Sequence, residues 1–430
     1  MENNQKINEN IEIKERVLIV GVCLKSENEE NFTESMLELR ELVEAADGQV
    51  IGEMVQNKES KDNRSYIGKG KLEELAEMVD LLEAETIVFN DELSGVQIKN
   101  IEEVVNAKVI DRTGLVLDIF AKRATTKEGQ LQVELAQLKY RLPRLIGLGV
   151  SLSRTGAGIG TRGPGETKLE MNRRHILNRI TEIKKQLKEL EQNREVTRKK
   201  RIDSSIPIIA LVGYTNAGKS TLMNQLIELD EDYNEEKKVF VKDMLFATLD
   251  TTLRKSKLPN GKTILISDTV GFVSKLPTHL VEAFKGTLEE VHHADIILHV
   301  VDYKNKNREL QVNTTNDVLK KLGCQEKETI LVYNKMDSVE AANGYENSEE
   351  KIYLSAKTGY NIDSLMALLE RKLDGNYHSV KMKIPYDKGS LLSYLHSNTD
   401  IKTEEYAEDG IVIETVLDEI EYNRYREYVL

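Results

Sequence analysis

The stretch that decides the fold is Gly213-Tyr214-Thr215-Asn216-Ala217-Gly218-Lys219-Ser220, which matches the pattern G-x-x-x-x-G-K-[ST]. The apolar run 207–212 before it predicts a strand, and residues 221–226 after it predict a helix. A glycine loop between a strand and a helix typically binds phosphate through backbone N–H groups and the helix N-terminus. We expect this stretch and Thr221 to contact a nucleotide, with Lys219 at the outer phosphates and Ser220 on Mg²⁺.

A second segment, Asp268-Thr269-Val270-Gly271, ends the predicted strand 263–267. An aspartate in this place holds magnesium through a water molecule, and the Gly271 N–H can bond the γ-phosphate. Phe272 follows where a glutamine would orient the attacking water, so we expect hydrolysis to be slow without outside help.

Two later segments select the base. Asn334-Lys335-Met336-Asp337 ends the apolar strand 330–333, and Ser355-Ala356-Lys357 follows the strand 351–354. The Asp337 carboxylate can accept both N1–H and the exocyclic amine of guanine, a donor pair that adenine lacks. We expect the stem of Lys335 to cover the base and the Ala356 N–H to meet guanine O6. The order of these segments therefore predicts a guanine-nucleotide switch.

Two further side chains have open roles. Thr248, with Thr251 as second choice, lies in the segment 237–254 and is predicted to complete the magnesium shell as a switch residue; a threonine-rich strand edge is the alternative. Asn216 can offer its oxygen to a monovalent cation such as K⁺ beside the phosphates, or it can form a hydrogen bond that structures the loop. We count Lys219, Thr248, Gly271 and Asn216 as catalytic candidates.

Composition limits the function classes. The net charge of the 430 residues is −13, yet the segment 122–201 holds 20 Lys/Arg against 8 Asp/Glu. Such a basic segment in an acidic chain indicates a polyanionic partner. The two cysteines, Cys23 and Cys324, form no paired motif and suit a reducing cytoplasm. We expect no membrane segment, no signal peptide and a cytoplasmic protein.

The order of predicted elements indicates an α/β fold with four domains. Alternating strands and helices predict a parallel α/β domain at 12–120, including a helix capped by Thr33, and a P-loop GTPase domain at 206–374. A small α+β domain is predicted at 380–430, with a helix at 391–396 and strands at 401–407 and 410–417.

Residues 121–205 are predicted to form a long antiparallel helical hairpin with a basic, glycine-rich tip loop at 144–165. Heptad-like apolar spacing supports both helices, although two helices covering a domain face would show it too; the residues are Leu131, Leu135, Leu138, Leu142, Ile176, Ile180, Ile183, Leu187 and Leu190. We predict that Arg154, Arg162 and Lys168 contact RNA phosphates, the alternative being an unstructured surface loop.

Five stretches together are distinctive: 162–170 (RGPGETKLE), 245–250 (LFATLD), 268–272 (DTVGF), 66–71 (YIGKGK) and 111–114 (DRTG). On these stretches the chain resembles the HflX family of ribosome-associated GTPases. Thr251 stands where the family usually has Pro, and Lys168 where it usually has Gln. Neither change removes a nucleotide ligand.

The resemblance implies that the chain binds the large ribosomal subunit, with the hairpin tip in the rRNA of the peptidyl-transferase region, and splits or rescues stalled ribosomes. GTP, GDP and Mg²⁺ are then the expected ligands, and a monomer the expected state. Some members of the family also bind ATP through the N-terminal domain, where Gly68-Lys69-Gly70-Lys71 is a candidate contact; a helix start explains that segment equally well. The alternatives are a GTP-gated assembly factor and a non-catalytic anti-association scaffold.

Overall fold

The computed structural model describes residues 14–152, 164–202, 206–228, 245–246, 252–275, 277, 280, 290–338, 345–374, 377–399, 401–407 and 409–430. These residues form two compact units. The first contains the described residues up to Lys185, together with 245–246 and those between 275 and 283. The second contains the remaining described residues.

The first unit is built on a four-stranded parallel sheet in the order β2-β1-β3-β4. The central strand β1 is apolar and buried over most of its length, as expected when helices cover both faces of a parallel sheet. Strands and helices alternate along the chain: β1 Glu15–Leu24, α1 Glu29–Ala45, β2 Gly48–Lys58, α2 Lys69–Leu82, β3 Thr86–Phe89, α3 Gly95–Glu102, β4 Lys108–Asp111 and α4 Arg112–Arg123.

Helix α1 begins one turn earlier than predicted. Asn28, not Thr33, is its N-cap, and the Asn28 side chain accepts a hydrogen bond from the Glu30 N–H. Thr33 lies inside the helix and donates its hydroxyl to the Glu29 carbonyl oxygen. Asparagine and threonine are both good caps, and the two acidic residues that follow Asn28 favour the earlier start through the helix dipole.

Two long helices follow, α5 (Lys127–Leu152) and α6 (Pro164–Ile202). Arg179 Nε lies 2.7 Å from Glu134 Oε1 and its Nη2 2.8 Å from Oε2, a bidentate ion pair between the helices. The number of residues from Glu134 to the end of α5 is close to the number from the start of α6 to Arg179. Two helices joined by a short segment can pair in this way only if they run antiparallel. The seam residues Leu131, Leu135, Ile180 and Ile183 are buried.

The predicted start of the tip loop at Arg144 is wrong, because α5 continues to Leu152 in spite of Pro143. Arg144 is held by contacts distant in sequence: its guanidinium donates to the Leu93 carbonyl oxygen and to Asp111 Oδ2, both at 2.8 Å. It also donates to the Tyr140 carbonyl oxygen at 2.7 Å. These bonds offset the cost of a proline inside a helix.

The second unit contains a six-stranded sheet in the order β10-β9-β8-β5-β7-β6, in which only β6 is antiparallel to its neighbour. Its described elements are β5 Ile208–Gly213, α7 Lys219–Glu228, β6 Thr252–Lys257, β7 Thr263–Asp268, β8 Ile296–Asp302, α8 Arg308–Lys321, β9 Thr329–Asn334, β10 Lys351–Tyr353 and α9 Ile362–Asp374. Apolar residues of α7, α9 and the strands form one core on one face of the sheet.

The chain ends in a three-stranded antiparallel sheet in the order β11-β13-β12. Its elements are β11 Tyr377–Ile384, α10 Gly389–Asn398, β12 Ile401–Ala407, β13 Gly410–Asp418 and α11 Glu419–Tyr425. Strand β11 was not predicted from the sequence, although buried Val380, Met382 and Ile384 alternate with Lys381 and Lys383 as in a half-buried strand. None of the helices that the structure describes is long and apolar enough to cross a membrane. The architecture confirms the predicted fold class.

Candidate nucleotide-binding site

The phosphate-loop segment has a backbone that glycine favours. Gly213 has a φ of +146° and Gly218 a φ of +92°. A Cβ on Gly213 would lie 2.1 Å from the Val300 carbonyl oxygen, and one on Gly218 would lie 2.3 Å from Asn334 Nδ2. Asn216, between them, is exposed and left-handed with a φ of +59°, a conformation that asparagine adopts more readily than most residues.

The Lys219 ammonium group folds back on the loop. Nζ donates to the carbonyl oxygen of Gly213 at 3.1 Å and to that of Tyr214 at 2.8 Å. Burial lowers the pKa of Lys219 to about 8, against the opposing effect of the nearby Asp268 carboxylate. A buried cation at the start of α7 suits a multiply charged anion, which would restore its charged form.

Ser220 and Asp268, the two predicted magnesium ligands that the structure describes, lie together. Ser220 Oγ donates to Asp268 Oδ2 at 2.6 Å, and Asp268 is fully buried at the end of β7. A hydroxyl and a carboxylate are ligands that Mg²⁺ accepts, with phosphate oxygens and water completing its octahedron. Among the described residues, no group of three or more His, Cys, Asp or Glu side chains is arranged to hold a metal ion.

The segment after Asp268 pairs with the phosphate loop. The Thr215 N–H donates to the Phe272 carbonyl oxygen at 2.8 Å, and the Phe272 N–H donates to that of Gly213 at 3.1 Å. A Cβ on Gly271 would lie 2.8 Å from Thr215 Cα and 2.9 Å from Lys219 Nζ. Gly271 therefore lies directly against the phosphate loop and the Lys219 side chain, while the Phe272 side chain is buried.

Asn334 connects the phosphate loop with the base-recognition segments. Its Nδ2 donates to the Ala217 carbonyl oxygen at 2.9 Å, and its Oδ1 accepts from the Ala356 N–H at 2.9 Å. The side chain is 2% exposed, so both bonds are shielded from water. One amide thus fixes three segments that lie far apart in sequence.

Asp337 and Ser355 form the next pair. Ser355 Oγ donates to Asp337 Oδ1 at 2.5 Å, and the Ser355 N–H donates to the Tyr360 carbonyl oxygen at 3.1 Å. Ser355 is fully buried, whereas Asp337 is exposed and accessible to a base. Lys357, two residues on, is also exposed.

The remaining predicted residues fall into two groups. Thr215 and Ala217 are buried in the phosphate loop, Tyr214 is half-buried, and Thr221 lies in the first turn of α7. Lys168 lies in α6, away in sequence from these segments. Thr248, Thr251, Arg154 and Arg162 lie outside the residues that the structure describes.

Sequence reasoning missed Asp302, at the end of β8. Its Oδ2 lies 2.8 Å from Lys335 Nζ, and the backbone N–H of its neighbour Tyr303 donates to the Asn334 carbonyl oxygen at 3.1 Å. The signal was an acidic residue at the carboxyl end of an apolar run, since the ends of parallel strands meet at one edge of the sheet.

The lysines of the segment 68–71 in the first unit have local partners. Gly68 is the N-cap residue of α2, and its N–H donates to Gln56 Oε1 at 2.9 Å. Lys69 lies 3.8 Å from Glu73, and Lys71 lies 2.6 Å from Glu74. These contacts are those of a helix start, the second of the two explanations that the sequence left open.

Similarity to known proteins extends over most of the chain. Four family models match: GTP-binding GTPase N-terminal at 33–121, GTP-binding GTPase Middle Region at 123–201, 50S ribosome-binding GTPase at 208–335 and HflX C-terminal domain at 340–423. Among solved structures, the chain is similar to a GTP-binding protein of Sulfolobus solfataricus in complex with GDP. That likeness has 24% identity and a TM-score of 0.43 over 84% of this chain and 98% of that one.

Two curated relatives are similar over most of their length. The GTPase HflX of Caldanaerobacter subterraneus subsp. tengcongensis is 48% identical over 93% of this chain and 90% of its own. The GTPase HflX of Escherichia coli is 39% identical over 88% of each chain. With the geometry of a guanine-nucleotide site and matching family models from 33 to 423, the chain belongs to the HflX family of GTPases.

Proposed function

We propose that the chain is a GTP-hydrolysing switch that binds the large ribosomal subunit and splits or rescues stalled ribosomes. The observation that carries the proposal is the Asn334 side chain, which joins Ala217 of the phosphate loop to Ala356 beside the guanine contact. Such a bond network makes phosphate binding and base selection parts of one site. The family model that covers 208–335 is described as a 50S ribosome-binding GTPase, which supports the ribosome as partner.

In this proposal Lys219, Ser220 and Asp268 hold the phosphates and Mg²⁺, with Thr248 as the third magnesium ligand. Asp337 selects guanine, with Lys335 and the Ala356 N–H as its further contacts. Asn216, which is exposed within the loop, is the proposed ligand of a K⁺ ion that assists hydrolysis. When bound, Mg²⁺ neutralises charge that develops on the phosphates during hydrolysis.

The basic segment supplies the ribosome contact. Arg154, Arg162 and Lys168 bind rRNA phosphates of the peptidyl-transferase region, and the α5–α6 pair presents them. ATP binding by the N-terminal domain is a separate proposal, with the segment 68–71 as its candidate contact.

Hydrolysis with and without large subunits tests the proposal. We expect stimulation by subunits, because Phe272 is 4% exposed and its ring cannot orient water. The variant Arg154→Ala/Arg162→Ala should weaken subunit binding and flatten its salt dependence while leaving GDP affinity intact. A rate that subunits leave unchanged would contradict the proposal.

The buried Phe272 also favours a second candidate, a GTP-gated assembly or anti-association factor in which hydrolysis only times release. Sedimentation of intact ribosomes with a non-hydrolysable GTP analogue separates the two. Dissociation into subunits supports splitting, and ribosomes that remain joined support the second candidate.

A further inference from the structure

Lys335 has an unusual backbone in the base-recognition segment. Its φ is +68°, in the left-handed region that a residue with a long side chain seldom occupies. Such strain persists only where surrounding contacts fix the conformation, and it is often found at functional sites. The contacts of the Lys335 ammonium are therefore informative.

That ammonium is held by a side chain from another strand. Lys335 Nζ lies 2.8 Å from Asp302 Oδ2, and the two side chains are 32% and 20% exposed. The second oxygen, Asp302 Oδ1, accepts from the Lys304 N–H at 3.0 Å. With both oxygens engaged, the Asp302 carboxylate has a fixed orientation and presents one oxygen to the lysine.

The backbones that carry the two residues are also joined. Asp302 and Asn334 are register partners in β8 and β9, and the Tyr303 N–H donates to the Asn334 carbonyl oxygen at 3.1 Å. Asp302 thus lies beside the peptide that leads into Lys335. A displacement of one strand end would move the other.

An aromatic layer supports this edge of the sheet. The rings of Tyr333 and Tyr353 stack at 4.9 Å, and the Tyr303 ring meets them edge-on at 5.6 and 5.8 Å. Tyr345 packs on Tyr353 at 5.0 Å, and the Arg308 guanidinium lies 4.9 Å from the Tyr303 ring. Tyr303 directly follows Asp302, and Tyr333 directly precedes Asn334. The aromatic layer therefore restrains the backbone at Asp302 and at Asn334.

From this geometry we infer that Asp302 is a positioning residue for guanine recognition, which holds the Lys335 ammonium so that the aliphatic stem lies along the base plane. The inference rests on the proposed guanine site. Asp302 does not touch the nucleotide; it acts through Lys335. It also neutralises the lysine charge, so the contact with the base is made by hydrocarbon rather than by a free cation.

A double-mutant cycle tests this role. Asp302→Asn keeps the shape of the side chain and the oxygen that accepts from the Lys304 N–H, but it removes the negative charge. We expect GDP to bind about tenfold more weakly, a loss of binding free energy near 1.4 kcal/mol. Lys335→Met should weaken GDP binding similarly, and Asp302→Asn added to it should have no further effect, because the two residues act as one unit. Asp302→Glu keeps the charge and should recover part of the loss.

Two controls separate folding from positioning. Glu328→Gln removes the charge from another ion pair of the same unit, with Lys372, and should leave GDP affinity unchanged. The melting midpoint of the nucleotide-free protein should be the same for Asp302→Asn and Glu328→Gln. Additive losses in the double variant, or wild-type affinity in Asp302→Asn, would overturn the inference. Absence of GDP binding by the wild-type protein would instead refute the guanine site itself.

Discussion

The hydroxyl group of Ser220 donates a hydrogen bond to the carboxylate of Asp268, with 2.6 Å between Oγ and Oδ2. Two ligands of the proposed magnesium site, 48 residues apart, are thus already in contact. Bound Mg²⁺ would be held by the Ser220 hydroxyl and, through a water molecule, by the Asp268 carboxylate.

Ser220→Ala is expected to abolish most of the Mg²⁺ dependence of GTP binding, because alanine cannot ligate the ion or hold Asp268. Titration of GTP at several Mg²⁺ concentrations measures the effect. Ser220→Thr, which retains the hydroxyl, is the matched control and should behave like the wild type. Equal Mg²⁺ dependence in the alanine and threonine variants would contradict the assignment.

Lys219 predicts proton uptake on nucleotide binding. Burial lowers the pKa of this lysine to about 8, and phosphates should raise it by favouring the ammonium form. Above pH 8 the nucleotide-free protein therefore gains a proton when GDP binds, and affinity falls as pH rises. At about pH 9, one unit above this pKa, most of the nucleotide-free protein has a neutral Lys219. Calorimetry at this pH in buffers of different ionisation enthalpy detects the proton that is taken up.

Lys219→Arg provides the control for this measurement, since a guanidinium stays charged throughout the range and takes up no proton. Lys219→Ala should remove most GTP affinity. Binding by the wild type without proton uptake would contradict the predicted ionisation change.

Asp337→Asn should change the preference from guanine to xanthine nucleotides, because an amide nitrogen can donate to the xanthine O2 whereas a carboxylate only accepts. Competition between GDP and XDP measures the change. Ser355 Oγ bonds Asp337 Oδ1, so Ser355→Ala should weaken GDP binding without reversing the preference. An unchanged preference in Asp337→Asn would refute the assignment of this residue.

His299 should make the second unit sensitive to acid. Burial, and to a smaller extent the Lys219 charge, lower the pKa of His299 to about 4. Between about pH 6.5 and 4 the unfolded chain binds this proton and the folded chain does not, so stability is lost as pH falls through that window. The loss approaches roughly 3 kcal/mol for one such group.

Thermal melting at a series of pH values tests the role of His299. His299→Gln should flatten the pH dependence over this window, whereas the exposed His175→Gln should retain it. The same slope in both variants would show that other groups cause the acid sensitivity.

Gly218→Ala should lower nucleotide affinity by more than about tenfold, or 1.4 kcal/mol. A Cβ at this position would meet Asn334 Nδ2 at 2.3 Å and displace the amide that joins the three segments of the site. Gly323→Ala is the matched control, because Gly323 also has a positive φ, of +73°, but open space around it. If both variants lose affinity equally, backbone strain rather than the clash is responsible.

The sequence predicted those parts of the site that local patterns encode. The phosphate loop lies between a strand and a helix because Gly213 and Gly218 allow turns that other residues resist, and such information is contained within a few residues. The apolar runs before Asp268 and Asn334 likewise place both residues at strand ends.

Contacts between distant segments could not be predicted in this way. The bond from Asn334 to the Ala217 carbonyl oxygen spans 117 residues. The place of Asp302 at the end of an apolar run indicates the edge of the sheet, but no local pattern identifies Lys335 as its partner. The helix that continues past Pro143 depends on Arg144 reaching Asp111 and Leu93. Local sequence propensity disfavours a helix through Pro143, whereas these hydrogen bonds to residues distant in sequence stabilise it.

The tyrosine layer beside Asp302 has a practical consequence. The chain contains no tryptophan, so a single Tyr303→Trp substitution would create the sole indole fluorophore of the protein, directly beside the predicted base contact. Its emission could then be excited apart from that of the tyrosines, and stopped-flow traces would report guanine arrival and departure without a labelled nucleotide. Nucleotide exchange by the free protein would become observable in real time.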